Sequence, residues 1–231
     1  IRVKKFLILV TLLVIPSLAY LYLQTGKNNF KTLEIFGPKE PVAKTVDGKT
    51  VVDTVYHSIG GFSLLDQDSN VVTQDIFKDK IHVANFIFTT CQTICPKMSN
   101  EMIRVQSAFK DDPDVVIVSY TVNPEYDTPS ILKDYAAKHY AIKNKWYFLT
   151  GDKKTIYDLA RNSYFLVAGE GDGGPDDFIH SEMFTLIDKE GRIRGAVDKK
   201  GNIQTYDGTN VLDVKRLIED IDVLKREYAK K

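Results

Sequence analysis

The chain has 231 residues, with 31 basic and 31 acidic side chains, so its formal net charge is zero with the histidines neutral. That balance gives no electrostatic reason to expect nucleic acid or an anionic surface as a partner. Hydrophobic residues make up 43% and aromatic residues 11%, ordinary for a globular domain with a real core, and there is no internal repeat or low-complexity tract.

Arg2, Lys4 and Lys5 precede residues 6–26, a stretch without a charged side chain. As a helix those positions would span about 31 Å, close to the roughly 30 Å hydrocarbon core of a bilayer. Pro16 is compatible with such a span, because membrane helices tolerate proline. The flanking basic residues predict an N-terminus in the cytoplasm and a domain outside it. A cleaved signal peptide is the rival reading, since Ser17-Leu18-Ala19 resembles a small-x-small cleavage site. Leu21, Tyr22 and Leu23 continue the apolar run past that point, which favours a retained anchor. Both readings export the domain. The expected organisation is a membrane anchor over 1–26, a linker over 27–50 and one α/β domain over 51–231, about 180 residues and enough for a single core. The linker is expected from its Lys, Asn, Gly and Pro content, including Gly37-Pro38 and Glu40-Pro41.

Short strands are predicted over 51–56, 62–65 and 71–73, the last two joined through the turn Asp66-Gln67-Asp68-Ser69-Asn70. Residues 81–89 form a nearly continuous apolar run, as a strand buried on both faces requires. Residues 96–109 read as a helix with Met98, Met102, Val105 and Phe109 on one stripe. A second central strand follows at 115–121. The next helix, 131–140, is entered through the capping sequence Asp127-Thr128-Pro129-Ser130. A short strand at 146–149 and a helix at 154–164 lead to a Gly- and Asp-rich loop, 169–177. Strands at 183–187 and 192–197 form a hairpin around Lys189-Glu190-Gly191. An amphipathic helix closes the chain at 211–228, with Leu212, Leu217, Ile218, Ile221 and Leu224 expected in the core. This order predicts a thioredoxin-like α/β domain.

The two cysteines, Cys91 and Cys95, stand where the buried strand ends and a helix begins, the edge of an open α/β sheet at which ligands bind. Cys95 before Pro96 is the expected N-cap. Free amides and the helix dipole at that end favour thiolate over thiol. Thiolate is both nucleophile and metal ligand, so location alone does not choose between the two. Spacing helps. Positions i and i+4 place Cβ atoms roughly 5–6 Å apart, within reach of one metal ion but long for a disulfide. The usual thioredoxin-type redox pair has two intervening residues rather than three. Two thiolates suit Cu(I), and Cu(II) would call for a harder nitrogen donor. Of His57, His82, His139 and His180, the first lies in an N-terminal turn, the second in a central strand and the third at a helix end. His180 ends the Gly- and Asp-rich loop just before the 183–187 strand, which in a thioredoxin-like layout starts beside the cysteine turn. Position alone leaves His180 an open candidate. Met98 and Met102 are expected in the core rather than on a metal.

At these residues the chain resembles the SCO/SenC family of copper chaperones for cytochrome c oxidase, over roughly Tyr56 to the C-terminus. The most specific block is Asn85-Phe86-Ile87-Phe88-Thr89-Thr90-Cys91-x-x-x-Cys95-Pro96. Asp127-Thr128-Pro129, His180-Ser181 and Tyr206-Asp207-Gly208-Thr209 add to it. The resemblance implies a thioredoxin fold that binds copper, Cu(I) or Cu(II), through Cys91, Cys95 and His180. It also implies a single N-terminal anchor in the cell (inner) membrane, with the domain on the periplasmic or extracytoplasmic side. The implied role is maturation of the dinuclear copper centre of the oxidase, by metal delivery or by reduction of that subunit's cysteines. The expected partner is then the copper-bearing oxidase subunit or another copper chaperone. One departure stands out: family members often carry an acidic residue just before the histidine, and this chain has Ile179, with Asp176 and Asp177 close by.

The leading expectation is an assembly factor without turnover of its own. The alternative is a thiol-disulfide oxidoreductase or peroxiredoxin-like enzyme using Cys91 and Cys95 as a dithiol. Such enzymes typically place a proline before the strand that follows the loop, where this chain has Ile179-His180-Ser181. A structural zinc site needs four protein ligands, and the chain offers three. Residues 169–177 match no calcium-loop pattern.

Overall fold

The computed structural model describes residues 4, 10–18, 20, 32–46, 49–166, 168–170, 178–197 and 205–229. The chain divides into two units, Ile1–Lys31 and Thr32–Lys231. In the first, Lys4, residues 10–18 and Tyr20 are helical, and Val10, Leu12, Leu13, Val14, Ile15 and Leu18 are exposed. No helix among the described residues is long and apolar enough to cross a membrane, and much of the expected 6–26 span lies outside them.

The second unit is built on one large mixed sheet. Its strands, with two small hairpins included in the count, are β1 (Glu34–Phe36), β2 (Lys39–Val46), β3 (Lys49–Tyr56), β4 (Ser63–Asp66), β5 (Val71–Thr73), β6 (Ile81–Ile87), β7 (Val115–Thr121), β8 (Trp146–Thr150), β9 (Ala168–Glu170), β10 (Phe178–His180), β11 (Met183–Ile187), β12 (Ile193–Gly195) and β13 (Tyr206–Asp207). The helices are α1 (Cys95–Ala108), α2 (Pro129–Lys138), α3 (Lys153–Asp158), which runs on through a π turn over Leu159–Ser163, and α4 (Val211–Ala229). The sheet order is β1-β12-β11-β6-β7-β8-β4-β5, with β13 attached to β11. The strands β6, β7 and β8 are parallel, and β11 and β4 flank them antiparallel. Every residue of β6 and β7 is buried, as their nearly continuous apolar runs lead one to expect.

A polar seam crosses these central strands. Trp146 Nε1 donates to Ser119 Oγ at 2.9 Å, and that hydroxyl donates to Asn85 Oδ1 at 2.6 Å. The apolar stripe of α1 is buried at Met98, Met102 and Val105, and α1 packs beside α4. Met98 and Met102 are therefore core residues, as expected. Along α4, Leu217, Ile221 and Leu224 are buried, but Leu212 is 73% exposed. Five residues at about 100° each turn Leu212 some 140° away from Leu217, and Val214 takes its place in the core.

The segment expected as a loose linker is partly strand. β1 pairs antiparallel with β12 as a sheet edge, and β2 pairs with β3 in a separate hairpin. What holds β1 comes from far along the chain. The Leu33 amide donates to Glu227 Oε1 at 3.0 Å, and the Leu33 carbonyl accepts from Arg194 Nη2 at 2.7 Å. The β11–β12 turn closes on Asp188, whose Oδ1 accepts the amides of Glu190 and Arg192, while Gly191 takes a φ of 76° that favours glycine.

Candidate metal centre

The cysteine turn begins where β6 leaves the sheet. The Cys91 amide donates to the Phe88 carbonyl at 3.2 Å, and the chain re-enters regular structure at Cys95. The N-cap of α1 is Ile94, which has no side chain to offer the first amides. Cys95 is the first helical residue, not the cap. Proline is tolerated at either of the first two helical positions, because neither amide there has an intrahelical acceptor, so Pro96 fixed the boundary only to within a residue. A sulfur does the capping instead: Cys91 Sγ accepts the Cys95 amide at 3.4 Å and lies 3.7 Å from Thr93 Oγ1.

Neither cysteine is in a disulfide, and the surroundings of the two thiols differ. Cys95 is wholly buried and Cys91 partly exposed. Burial pushes the Cys91 thiol up, but the amides of Cys95 and Thr93, helped by the Cys95 thiol and the Thr93 hydroxyl, pull it below the ordinary thiol value. For Cys95 burial wins. Despite a backbone hydrogen bond from Phe88, its thiol is held far above the ordinary value, and the negative charges of Cys91 and Asp127 push the same way. The site therefore pairs an accessible Cys91, whose thiol is drawn below its ordinary pKa, with a buried Cys95 that keeps its proton. Two sulfurs in hydrogen-bond contact form a soft donor pair of the kind that suits Cu(I), with the Cys95 proton to be displaced on binding.

Two neighbours escaped the sequence reading. Asp127, expected to help cap α2, is wholly buried and turned toward the cysteine turn, where it accepts from Thr89 and from Thr121. Thr128 takes the N-cap position of α2 without a side-chain hydrogen bond. Tyr135, on α2, meets Ser99 of α1 at 2.8 Å. Burial pushes that phenol up against the opposing pull of its hydrogen bond with Ser99, so it stays a hydrogen-bonding partner rather than an anion.

Three histidines are engaged elsewhere. His57 Nε2 lies 2.8 Å from the Ser163 carbonyl, with its ring against Phe165. His82 is stacked on Phe77 at 3.9 Å, with Nε2 3.3 Å from the Tyr164 hydroxyl. His139 follows the last residue of α2, with its ring 4.4 Å from Tyr135. His180 ends β10, whose backbone pairs with β9, His180 opposite Ala168. The loop expected over 169–177 is thus closed at its base as a hairpin, while residues 171–177 and the His180 side chain lie outside the described residues. The antiparallel pairing of β11 with β6 sets the direction of the chain there: Ile187 lies beside His82 and Thr185 beside Ala84. The start of β11, three residues past His180, therefore lies toward the end of β6 that leads into Cys91. Among the described residues no three His, Cys, Asp or Glu side chains are grouped to hold a metal.

A thioredoxin-like sheet with a dithiol at its strand-to-helix turn defines a class of thiol- and metal-handling proteins. Within it, the SCO1/SenC family model matches residues 53–210. The chain belongs to the SCO1/SenC family. It is 30% identical over 176 residues to the SCO1 protein homolog of Bacillus subtilis, covering 75% of this chain and 86% of the relative. Its fold matches that of BsSco, a member of the Sco family of cytochrome c oxidase assembly proteins, with a TM-score of 0.60 and 28% identity, over 80% of this chain and 95% of that one. It also matches Bradyrhizobium japonicum ScoI with copper bound, with a TM-score of 0.54 and 26% identity, over 69% and 98% of the two chains.

Proposed function

We propose that this protein binds copper through Cys91, Cys95 and His180 and serves maturation of the dinuclear copper centre of cytochrome c oxidase. The observation that carries the reading is the pair of sulfurs in hydrogen-bond contact at the carboxyl edge of the central strands, the Cys91 thiol drawn below its ordinary pKa and the Cys95 thiol pushed far above it. The family supports it, as does the copper-bound relative from Bradyrhizobium japonicum. What favours His180 is the direction of β11, which runs from that histidine alongside β6. Copper supplies a redox-active ion to be handed on. The chain's own part is to hold two soft donors together, to release the Cys95 proton to solvent as the metal binds and to leave Cys91 open to a partner. We further place the domain at a membrane through residues 6–26, on the strength of their uncharged run behind Arg2, Lys4 and Lys5.

Anaerobic titration of wild type and of Cys91→Ser, Cys95→Ser and His180→Ala tests the ligand set. The expected result is one copper per chain, loss of tight Cu(I) binding in either cysteine variant, and a His180→Ala effect larger on Cu(II) than on Cu(I). Equal loss of both ions in His180→Ala would remove that histidine's special role.

The difference between the two thiols favours a second reading, reduction of a partner's disulfide. Cys91 thiolate attacks one partner sulfur and expels the other as thiolate. Cys95 then gives up its proton and attacks Cys91, releasing the partner's second thiol and leaving the chain's own pair oxidised. Efficient turnover of insulin disulfides or peroxide without tight copper binding would make this the primary function.

A further inference from the structure

Neither reading above uses the carboxylate of Asp127, yet it is one of the most completely enclosed charged groups in the domain, with no exposed surface. Its Oδ2 accepts the Thr89 amide at 3.1 Å and the Thr121 hydroxyl, and its Oδ1 accepts the Thr89 hydroxyl. Thr121 is the last residue of β7. Thr89 lies two residues past the end of β6 and two before Cys91. One carboxylate thus ties the point where β6 leaves the sheet to the end of the neighbouring strand.

The tether is itself fixed. The Asp127 amide donates to the Asn123 carbonyl at 2.9 Å, and the Thr121 hydroxyl also accepts the Asn123 amide at 3.0 Å. Within the turn the Cys91 amide donates to the Phe88 carbonyl and Cys91 Sγ accepts the Cys95 amide, while Thr90 Oγ1 is buried without a hydrogen-bond partner among the described residues. Burying a carboxylate is costly unless several donors compensate it, so three donors converging on one carboxylate, two of them from Thr89, mark a place where the backbone direction is held tightly.

We propose that Asp127 is the positioning residue of the cysteine turn: by gripping Thr89 at both its amide and its hydroxyl, it sets the direction in which Cys91 leaves β6 and hence where its sulfur meets Cys95. Asn at this position can accept the Thr89 amide and the Thr121 hydroxyl through its oxygen and donate to a reoriented Thr89 hydroxyl through its nitrogen, so it keeps the tether. Ala removes it.

The test compares wild type with Asp127→Ala, Asp127→Asn and Thr89→Val by site-resolved amide exchange on the metal-free protein and by the thiolate-to-Cu(II) absorption of the loaded one. In Asp127→Ala, exchange at Thr89 and Cys91 is expected to rise at least tenfold while Ile117 and Val118 in the core stay within twofold. Its Cu(II) band is expected to shift or broaden. Asp127→Asn returns both readouts to within about threefold of wild type, and Thr89→Val, which loses only the hydroxyl, falls between. Should Asp127→Ala not fold, a rise in Thr89→Val confined to the turn supports the proposal and an unchanged turn overturns it. Wild-type exchange in Asp127→Ala, or an equal rise at turn and core, would also overturn it. The copper measurement rests on the metal reading above and the exchange measurement does not, so a wild-type protein without a copper band sinks that reading and leaves exchange to decide the role of Asp127.

Discussion

Cys91 and Cys95 are the same residue type four positions apart, and the fold treats them oppositely. Hydrogen bonds from Cys95 and Thr93 hold Cys91 below the ordinary thiol range against the opposing push of burial, and part of its surface is open. Cys95 has no exposed surface and a thiol pushed far up by burial. Limited alkylation with iodoacetamide at pH 7–8, read by peptide mass spectrometry, is expected to label Cys91 at least tenfold faster than Cys95, with Cys95 labelled only as urea opens the domain. Equal rates in native protein would contradict the asymmetry. The place of this site was legible in the sequence, because an apolar run leading into Cys-x-x-x-Cys-Pro puts a buried strand against a helix start. The asymmetry was not, because spacing assigns both thiols to the same turn and burial depends on how that turn lies on the sheet. Asp127 was read as a cap because an acid just before Thr-Pro at a helix start has that local use. The approach of Thr89, 38 residues earlier, together with the Thr121 hydroxyl, draws it inward.

At the scale of elements, the link between β13 and α4 depends on close approach. A Cβ on Gly208 would lie 2.4 Å from Phe184 Cε1 and 2.7 Å from Cζ. The ring belongs to β11 and is buried, so it has little room to retreat. Around it, Asp207 Oδ1 accepts the Thr209 amide and hydroxyl, and the Tyr206 hydroxyl donates to Asp220 of α4 at 2.9 Å. Gly208→Ala is expected to destabilise the domain by about 1–3 kcal/mol, as overpacking of a filled core does, seen as a lower urea midpoint at unchanged slope. An unchanged midpoint would show that the ring moves aside freely. The strands at 71–73, 115–121 and 183–187 match the sequence reading residue for residue, because their apolar runs end at clear turn signals. β1 and β2 were missed. Gly37-Pro38 and Glu40-Pro41 read locally as loop, whereas β1 is held by Arg194 and Glu227, contacts that no local window contains.

Across the whole molecule, the enclosed sheet makes folding sensitive to acid through His82. The ring stands in β6 at 1% exposure, pressed on Phe77, with Nδ1 lacking a partner. Burial pulls its pKa down to about 3, against the weaker upward pull of Asp188. In the unfolded chain the same imidazole takes a proton near 6.5. Between those values the unfolded state binds more protons, so stability is complete above about pH 7 and falls as the pH drops toward 3. A gap of about 3.5 units corresponds to roughly 5 kcal/mol at the acid end, comparable with the whole stability of a small domain. Urea midpoints of wild type at pH 7, 6, 5 and 4 are therefore expected to decline steeply. His82→Phe keeps the stack on Phe77 and loses the Tyr164 contact, so it starts lower at pH 7 and declines less. The remaining slope belongs to carboxylates such as Asp188, which Arg192 and Arg194 hold below the ordinary range although burial pushes it up. Parallel decline in the two proteins would show that protonation of His82 does not drive acid unfolding.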